Sequence, residues 1–120
     1  MPRLFLSFLD NKIIYCCKHC HCHITSHEKV VSKNFFGNSR INLGKFGPAL
    51  LIKGTVNTVE HGQYTQQLMT GLHVISDLKC LNCSKTIGWK YVECFESNQK
   101  YKQGKYLLEK EHVQKLKQKL

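Results

Sequence analysis

Arginine is nearly missing from this chain: Arg3 and Arg40 are the only two among 18 basic residues. Bidentate readout of phosphates or base edges has little to work with, although the formal net charge is +10. Proline is equally scarce, at two residues, and with 42% hydrophobic content this excludes global disorder. No apolar run approaches the roughly 20 residues that span a bilayer. The stretch Leu4 to Leu9 runs straight into Asp10 and Asn11 without a small-residue cleavage site. Neither a secretory leader nor a transmembrane segment is therefore expected. An even cysteine count is also lacking. Seven cysteines cannot all pair internally, so thiols on a metal in a reducing compartment are expected over a disulfide scaffold.

What is present is a pair of Cys-x-x-Cys knuckles, Cys17-Lys18-His19-Cys20 and Cys80-Leu81-Asn82-Cys83. A two-residue spacer lets one tight turn aim two sulfurs at one ion, and two such turns complete a tetrahedral zinc shell. Four thiolates leave no position open for water, which makes the expected zinc structural. The 59 residues from His21 to Lys79 separate the knuckles, so the metal would join distant parts of one domain. Around the first knuckle, Cys16, Cys17, His19, Cys20, His21, Cys22, His23 and His27 crowd into twelve residues. Other ligand sets, such as Cys16 with Cys20 or a histidine replacing a thiolate, are chemically open, as is a weaker second site. Cys17 and Cys20 are preferred because they mirror Cys80 and Cys83. That leaves Cys16 and Cys22 as free thiols and Cys94 as a small packed residue.

The rest reads as strand. Ile13 to Cys17 and Val30 to Phe36 are β-rich, and Asn38 to Pro48 reads as a loop of Gly, Asn and Ser. Ala49 to Val59 is a further β stretch broken by Gly54, a candidate bulge. Tyr64 to Met69 and Leu72 to Leu78 flank a turn at Thr70-Gly71, and Ile87, Trp89 and Tyr91 alternate as a half-buried strand. Val113, Leu116 and Leu120 fall at i, i+3, i+7, which predicts a short amphipathic helix. Seven lysines against Glu109 and Glu111 put half of the net charge into residues 100–120. A solvated face is the expectation there, with phosphate binding the alternative.

Beyond the knuckles, Thr70-Gly71-Leu72-His73-Val74-Ile75-Ser76-Asp77 leads into Cys80-Leu81-Asn82-Cys83, Gly88-Trp89-Lys90-Tyr91 and Gln99-Lys100-Tyr101-Lys102 with Gly104-Lys105 and Glu109. This resembles the Yippee-like family over about residues 15 to 112. Two departures stand out: a longer loop around 39–46, and Gly47-Pro48-Ala49-Leu50-Leu51-Ile52-Lys53 where the family carries arginine, tyrosine and asparagine. The resemblance implies a mainly β, β-tent-like fold: two antiparallel sheets clamped by one four-cysteine zinc, here with a short basic C-terminal helix. The implied organisation is an N-terminal extension over 1–12, the zinc domain over 13–112 and a basic tail over 113–120.

It further implies a non-enzymatic protein-interaction module, nuclear or cytoplasmic, an accessory subunit of a mitotic or nuclear complex or of a GID/CTLH-type ubiquitin ligase. Trp89 would correspond to one wall of the aromatic cage of cereblon-like domains. Having no other tryptophan, the chain cannot form a three-tryptophan cage, but His73 and Tyr91 could join Trp89 at a partner-binding or ligand-binding face. Two alternatives are a methionine-sulfoxide-type thiol reductase using Cys94 or Cys22, and nucleic-acid binding through the lysine-rich tail.

Overall fold

The computed structural model describes residues 5–38 and 46–119. Nine strands run in chain order: β1 Ile13–Cys17, β2 His23–Ser26, β3 Val30–Asn38, β4 Phe46–Ile52, β5 Thr58–Leu68, β6 Gly71–Cys80, β7 Thr86–Cys94, β8 Tyr106–Glu109 and β9 Val113–Lys117. They form a three-stranded sheet, β2-β1-β9, and a six-stranded sheet, β3-β4-β8-β7-β6-β5, antiparallel throughout. The chain changes sheet twice, each time through a single 3₁₀ turn: His27–Lys29 between β2 and β3, and Lys110–His112 between β8 and β9. The mainly β, two-sheet expectation holds.

Alternation along β4 explains the layering. Leu50 and Ile52 join Tyr15, Cys17, Cys22, Ile24, Leu78, Cys80, Ile87, Leu108 and Val113 between the two sheets. Ala49 and Leu51 face the other way, with Leu68, Ile75, Trp89, Tyr91, Cys94 and Leu107. Successive strand residues point to opposite faces, so the central strands of the six-stranded sheet bury side chains on both sides, while β5 at its edge is mostly exposed. Ile87 and Trp89, two apart, nevertheless lie in different clusters. The register slips between Leu78 and Lys79, where β6 meets β7, and this bulge turns Ile87 inward. At Gly88 the backbones of β7 and β8 press together: a Cβ there would sit 1.8 Å from the Leu107 carbonyl oxygen.

Three sequence expectations need correction. The segment at Val113 and Leu116 is no helix but β9, paired with β1 over all five of its residues; Leu120 lies outside the described residues. So short a segment nucleates a helix poorly, whereas the backbone groups of β1 gain a full ladder from it. The Asn38–Pro48 loop is shorter than expected, because β3 reaches Asn38 and β4 begins at Phe46, with Phe36 opposite Pro48 and Gly37 opposite Gly47. β8 pairs with β4 only from Ala49 onward, so the proline withholds no N–H from it. Residues 39–45 of the long loop lie outside the described residues. Finally, Ala49 to Val59 is not one bulged strand. β4 stops at Ile52 and β5 starts at Thr58, and between them the Gly54 carbonyl accepts a hydrogen bond from Thr25 Oγ1 at 2.8 Å.

The turn after β5 needs Gly71, which holds φ at 117° and so occupies a backbone region that side chains rarely adopt. The N-terminal segment packs onto the domain through Asn57. Its Oδ1 accepts from Ser7 N at 2.7 Å, and its Nδ2 donates to the carbonyls of Ser7 and His23.

Two outcomes follow from this packing. Gly88→Ala should destabilise the domain by about 3 kcal/mol, because the clash is with backbone rather than a movable side chain; thermal denaturation measures it. Truncation after His112 removes β9 and uncovers β1, so it should abolish cooperative unfolding, and an unchanged melting temperature would mean that these residues behave as a free tail.

Candidate metal centre

Cys17 ends β1 and Cys80 ends β6, so both knuckles grow from the last residue of a strand. The two turns share one backbone pattern. In the first, Cys17 N donates to Cys22 O and His21 N to Cys17 O, each at 2.8 Å. In the second, Cys80 N donates to Lys85 O and Ser84 N to Cys80 O, each at 2.9 Å. The fourth residue after the leading cysteine is left-handed in both, His21 at φ 66° and Ser84 at φ 65°. This left-handed step closes the turn and keeps both sulfurs of a knuckle on one side.

The four thiols converge: Cys17, Cys20, Cys80 and Cys83 place their sulfurs within 4.8 Å of one another. Cys17 Sγ lies 3.6 Å from Cys83 Sγ, and Cys20 Sγ 3.4 Å from Cys80 Sγ. A tetrahedral zinc with bonds of about 2.3 Å sets sulfurs about 3.8 Å apart. The arrangement therefore fits that ion, and the soft donor set suits it too. Cys16 is absent from the cluster. As the strand neighbour of Cys17 its side chain leaves the opposite face.

Cys22 is the residue that sequence reasoning undervalued. Its sulfur is buried, 3.2 Å from Cys80 Sγ, close enough for its S–H to donate to a ligand sulfur. The mirrored turns carry a hint of this, since Cys22 occupies the closing position that Lys85 fills in the second knuckle. Burial dominates the thiols: it pushes Cys17 and Cys80 up to about 12 and Cys22 to about 11. At Cys20 burial also pushes upward, but hydrogen bonds from the Asn82 side chain, the Cys22 backbone and Cys80 outweigh it and bring the thiol down to about 6. A dication that replaces the protons relieves the cost of burying thiolates.

The aromatic residues lie elsewhere, on the other face of the six-stranded sheet. Trp89 and Tyr91, each 2% exposed, form the floor of a cavity of about 600 Å³. His73 does not line it. It is wholly buried, 5.6 Å from the Tyr91 ring, with Nδ1 hydrogen-bonded to the Gly71 carbonyl at 2.8 Å. Burial, countered by that bond and reinforced by Lys102, lowers its pKa. Cys94 is also fully buried, and its pKa is raised by burial against the pull of Lys102 and Lys100.

Residues 13–119 match the family described as "Yippee zinc-binding/DNA-binding /Mis18, centromere assembly". The chain belongs to the Yippee family. Human protein yippee-like 3 is 40% identical over 113 residues, spanning 93% of this chain and 89% of that protein. Its counterpart from Oryzias latipes is 39% identical over 112 residues, spanning 92% and 88%. The crystal structure of the Mis18 "Yippee-like" domain superposes with a TM-score of 0.66 at 17% identity, covering 90% of this chain and 98% of that one. That last likeness is one of fold. The Yippee match to residues 13–119 takes in β9, in keeping with its place in the sheet.

Because Cys17 and Cys80 are protonated near neutral pH when metal-free, zinc uptake at pH 7.5 should release about two protons or more. Calorimetry in buffers of different ionisation enthalpy counts them, and apparent affinity should fall as pH falls. Serine at any one of Cys17, Cys20, Cys80 or Cys83 should lose stoichiometric zinc. Cys16→Ser should keep it, with Cys22→Ser between the two.

Proposed function

We propose that this Yippee-family chain is a non-catalytic, zinc-stabilised protein-interaction module, nuclear or cytoplasmic, working as an accessory subunit of a larger assembly. The observation that carries this reading is the four-thiol cluster. One zinc held by Cys17, Cys20, Cys80 and Cys83 has no open position for water or substrate, so its role is to staple the two sheets. The candidate nucleophiles fit the same reading. Cys94 and Cys22 are buried, and burial raises both thiols, the reverse of what a reactive thiolate needs.

Protein partners are supported by apolar side chains exposed around the β5–β6 turn: Met69 (74%), Leu72 (41%), Phe95 (47%) and Tyr101 (52%). Met69 and Tyr101 rim the cavity floored by Trp89 and Tyr91. His73, Trp89 and Tyr91 would thus support a partner face from beneath rather than touch it broadly. The family resemblance offers a GID/CTLH-type ubiquitin ligase or a mitotic or nuclear complex as the assembly.

Nucleic-acid binding is a second reading. It is favoured by Lys33, Lys110 and Lys115, which surround a shallow hollow of about 320 Å³ over Tyr15, Leu50 and Val113. Such lysines would give sequence-independent, salt-sensitive binding.

Affinity capture with the zinc-loaded protein separates these readings. Met69→Ala with Tyr101→Ala should lower recovery of a specific protein assembly about tenfold or more, with zinc content unchanged. Lys110→Glu with Lys115→Glu should change it little. The opposite ranking, with duplex binding that falls steeply with salt, would favour nucleic acid. Turnover of methionine sulfoxide with a dithiol, abolished by Cys94→Ser, would overturn the non-catalytic reading.

A further inference from the structure

Lys102 is a buried lysine with no counter-ion among the described residues. It ends the 3₁₀ segment Ser97–Lys102 and is only 4% exposed. The chain that follows it is fixed against β7, with Gly104 N donating to Tyr91 O at 2.8 Å and Tyr91 N to Lys105 O at 2.9 Å. Lys102 Nζ donates to Thr70 Oγ1 at 3.1 Å. It stands 5.3 Å from the ring centroids of Phe35 and Tyr91 and 6.0 Å from that of Tyr101. Among the described residues no carboxylate lies within ion-pairing distance of it.

All of these neighbours line the cavity of about 600 Å³: Phe35, Thr70, Tyr91 and Tyr101, with Lys102 itself and Trp89. That volume is within the range of small-molecule sites. Four aromatic rings would ordinarily make such a cavity attractive to a cation. Here the chain's own ammonium already faces three of them, so a second cation would be repelled. Ring faces leave the positive charge in place, and one hydroxyl satisfies one of three N–H donors. Gln99 brings another polar group to the same wall. Its Oε1 is buried and unpartnered, and the amide, turned over, would present its NH₂ there.

We propose that this cavity is a binding site for a small carboxylate with a flat or branched apolar body. The carboxylate would pair with Lys102 Nζ, and the apolar body would lie on Trp89 and Tyr91. A neutral ligand would leave the ammonium unpaired in a drier cavity and forfeit this pairing. The site stands independently of the protein-partner reading and of the four-thiol cluster, which lies on the other face of the sheet.

Three ligands of one shape test it: 3-phenylpropionate, 3-phenylpropionamide and 3-phenylpropylamine, titrated into the full-length, zinc-loaded, ¹⁵N-labelled protein. Trp89 is the single tryptophan, so its indole N–H resonance reports the cavity floor unambiguously. The acid should shift that signal saturably and bind about tenfold or more tightly than the amide, and the amine should leave it unmoved. Lys102→Met keeps the length and apolar stem of the side chain while removing its charge, and should bring acid and amide to within about twofold of one another. Equal binding of acid and amide by the unaltered protein would overturn the proposal. So would undiminished acid binding by a folded Lys102→Met, or no response to the acid at about 10 mM. Should Lys102→Met fail to fold, the ranking of the three ligands on the unaltered protein decides alone.

Discussion

Everything in this domain hangs on four sulfurs that meet where two sheets come together. Cys17 and Cys20 belong to the hairpin of β1 and β2 in the small sheet, and Cys80 and Cys83 to the connection of β6 and β7 in the large one. The core between the sheets is modest for a chain of 120 residues. Structural zinc in small domains contributes about 10–16 kcal/mol of binding free energy, comparable to the entire stability of a typical domain of about 5–15 kcal/mol. A zinc held by these four thiols would therefore decide whether the two sheets stay together.

β7 divides the molecule's tasks. Its inward residue Ile87 packs in the core that holds Cys17 and Cys80, while Trp89 and Tyr91 face the opposite layer. A bulge against β6 makes this possible by changing the face within three residues. The rigid anchor and the recessed aromatic cavity thus share one strand without sharing a surface. A metal-ligand substitution would disturb the cavity only through the fold.

The sequence was most readable where one feature had one physical meaning. Two Cys-x-x-Cys turns of equal spacing found each other in the structure, and β-branched, aromatic runs became strands. It misled where local pattern and long-range pairing competed. Val113 and Leu116 fit a helical period, but only Val113 is buried, and the unpaired edge of β1 claims the whole segment. The residues Asn38, Gly47 and Pro48 read as loop, yet they extend the β3–β4 ladder. Lys102 was hidden among the surface lysines of a basic segment, because nothing local marks a lysine as buried. Cys22 was masked by its crowded neighbours, since only the folded turn brings it against Cys80.

The pairing of β9 with β1 has a consequence for how the protein is made. The strand at the centre of the small sheet is among the first parts of the domain to leave the ribosome, yet one of its two partners emerges about a hundred residues later. Until Val113–Lys117 arrives, β1 carries an unsatisfied edge and a knuckle whose complementary thiols are also delayed, until Cys80 and Cys83 appear. Closing contacts so remote in sequence is slow. The nascent chain thus passes through an interval with a sticky strand and unclaimed thiols, during which guarding by chaperones and a ready supply of zinc matter more than they do for the finished domain.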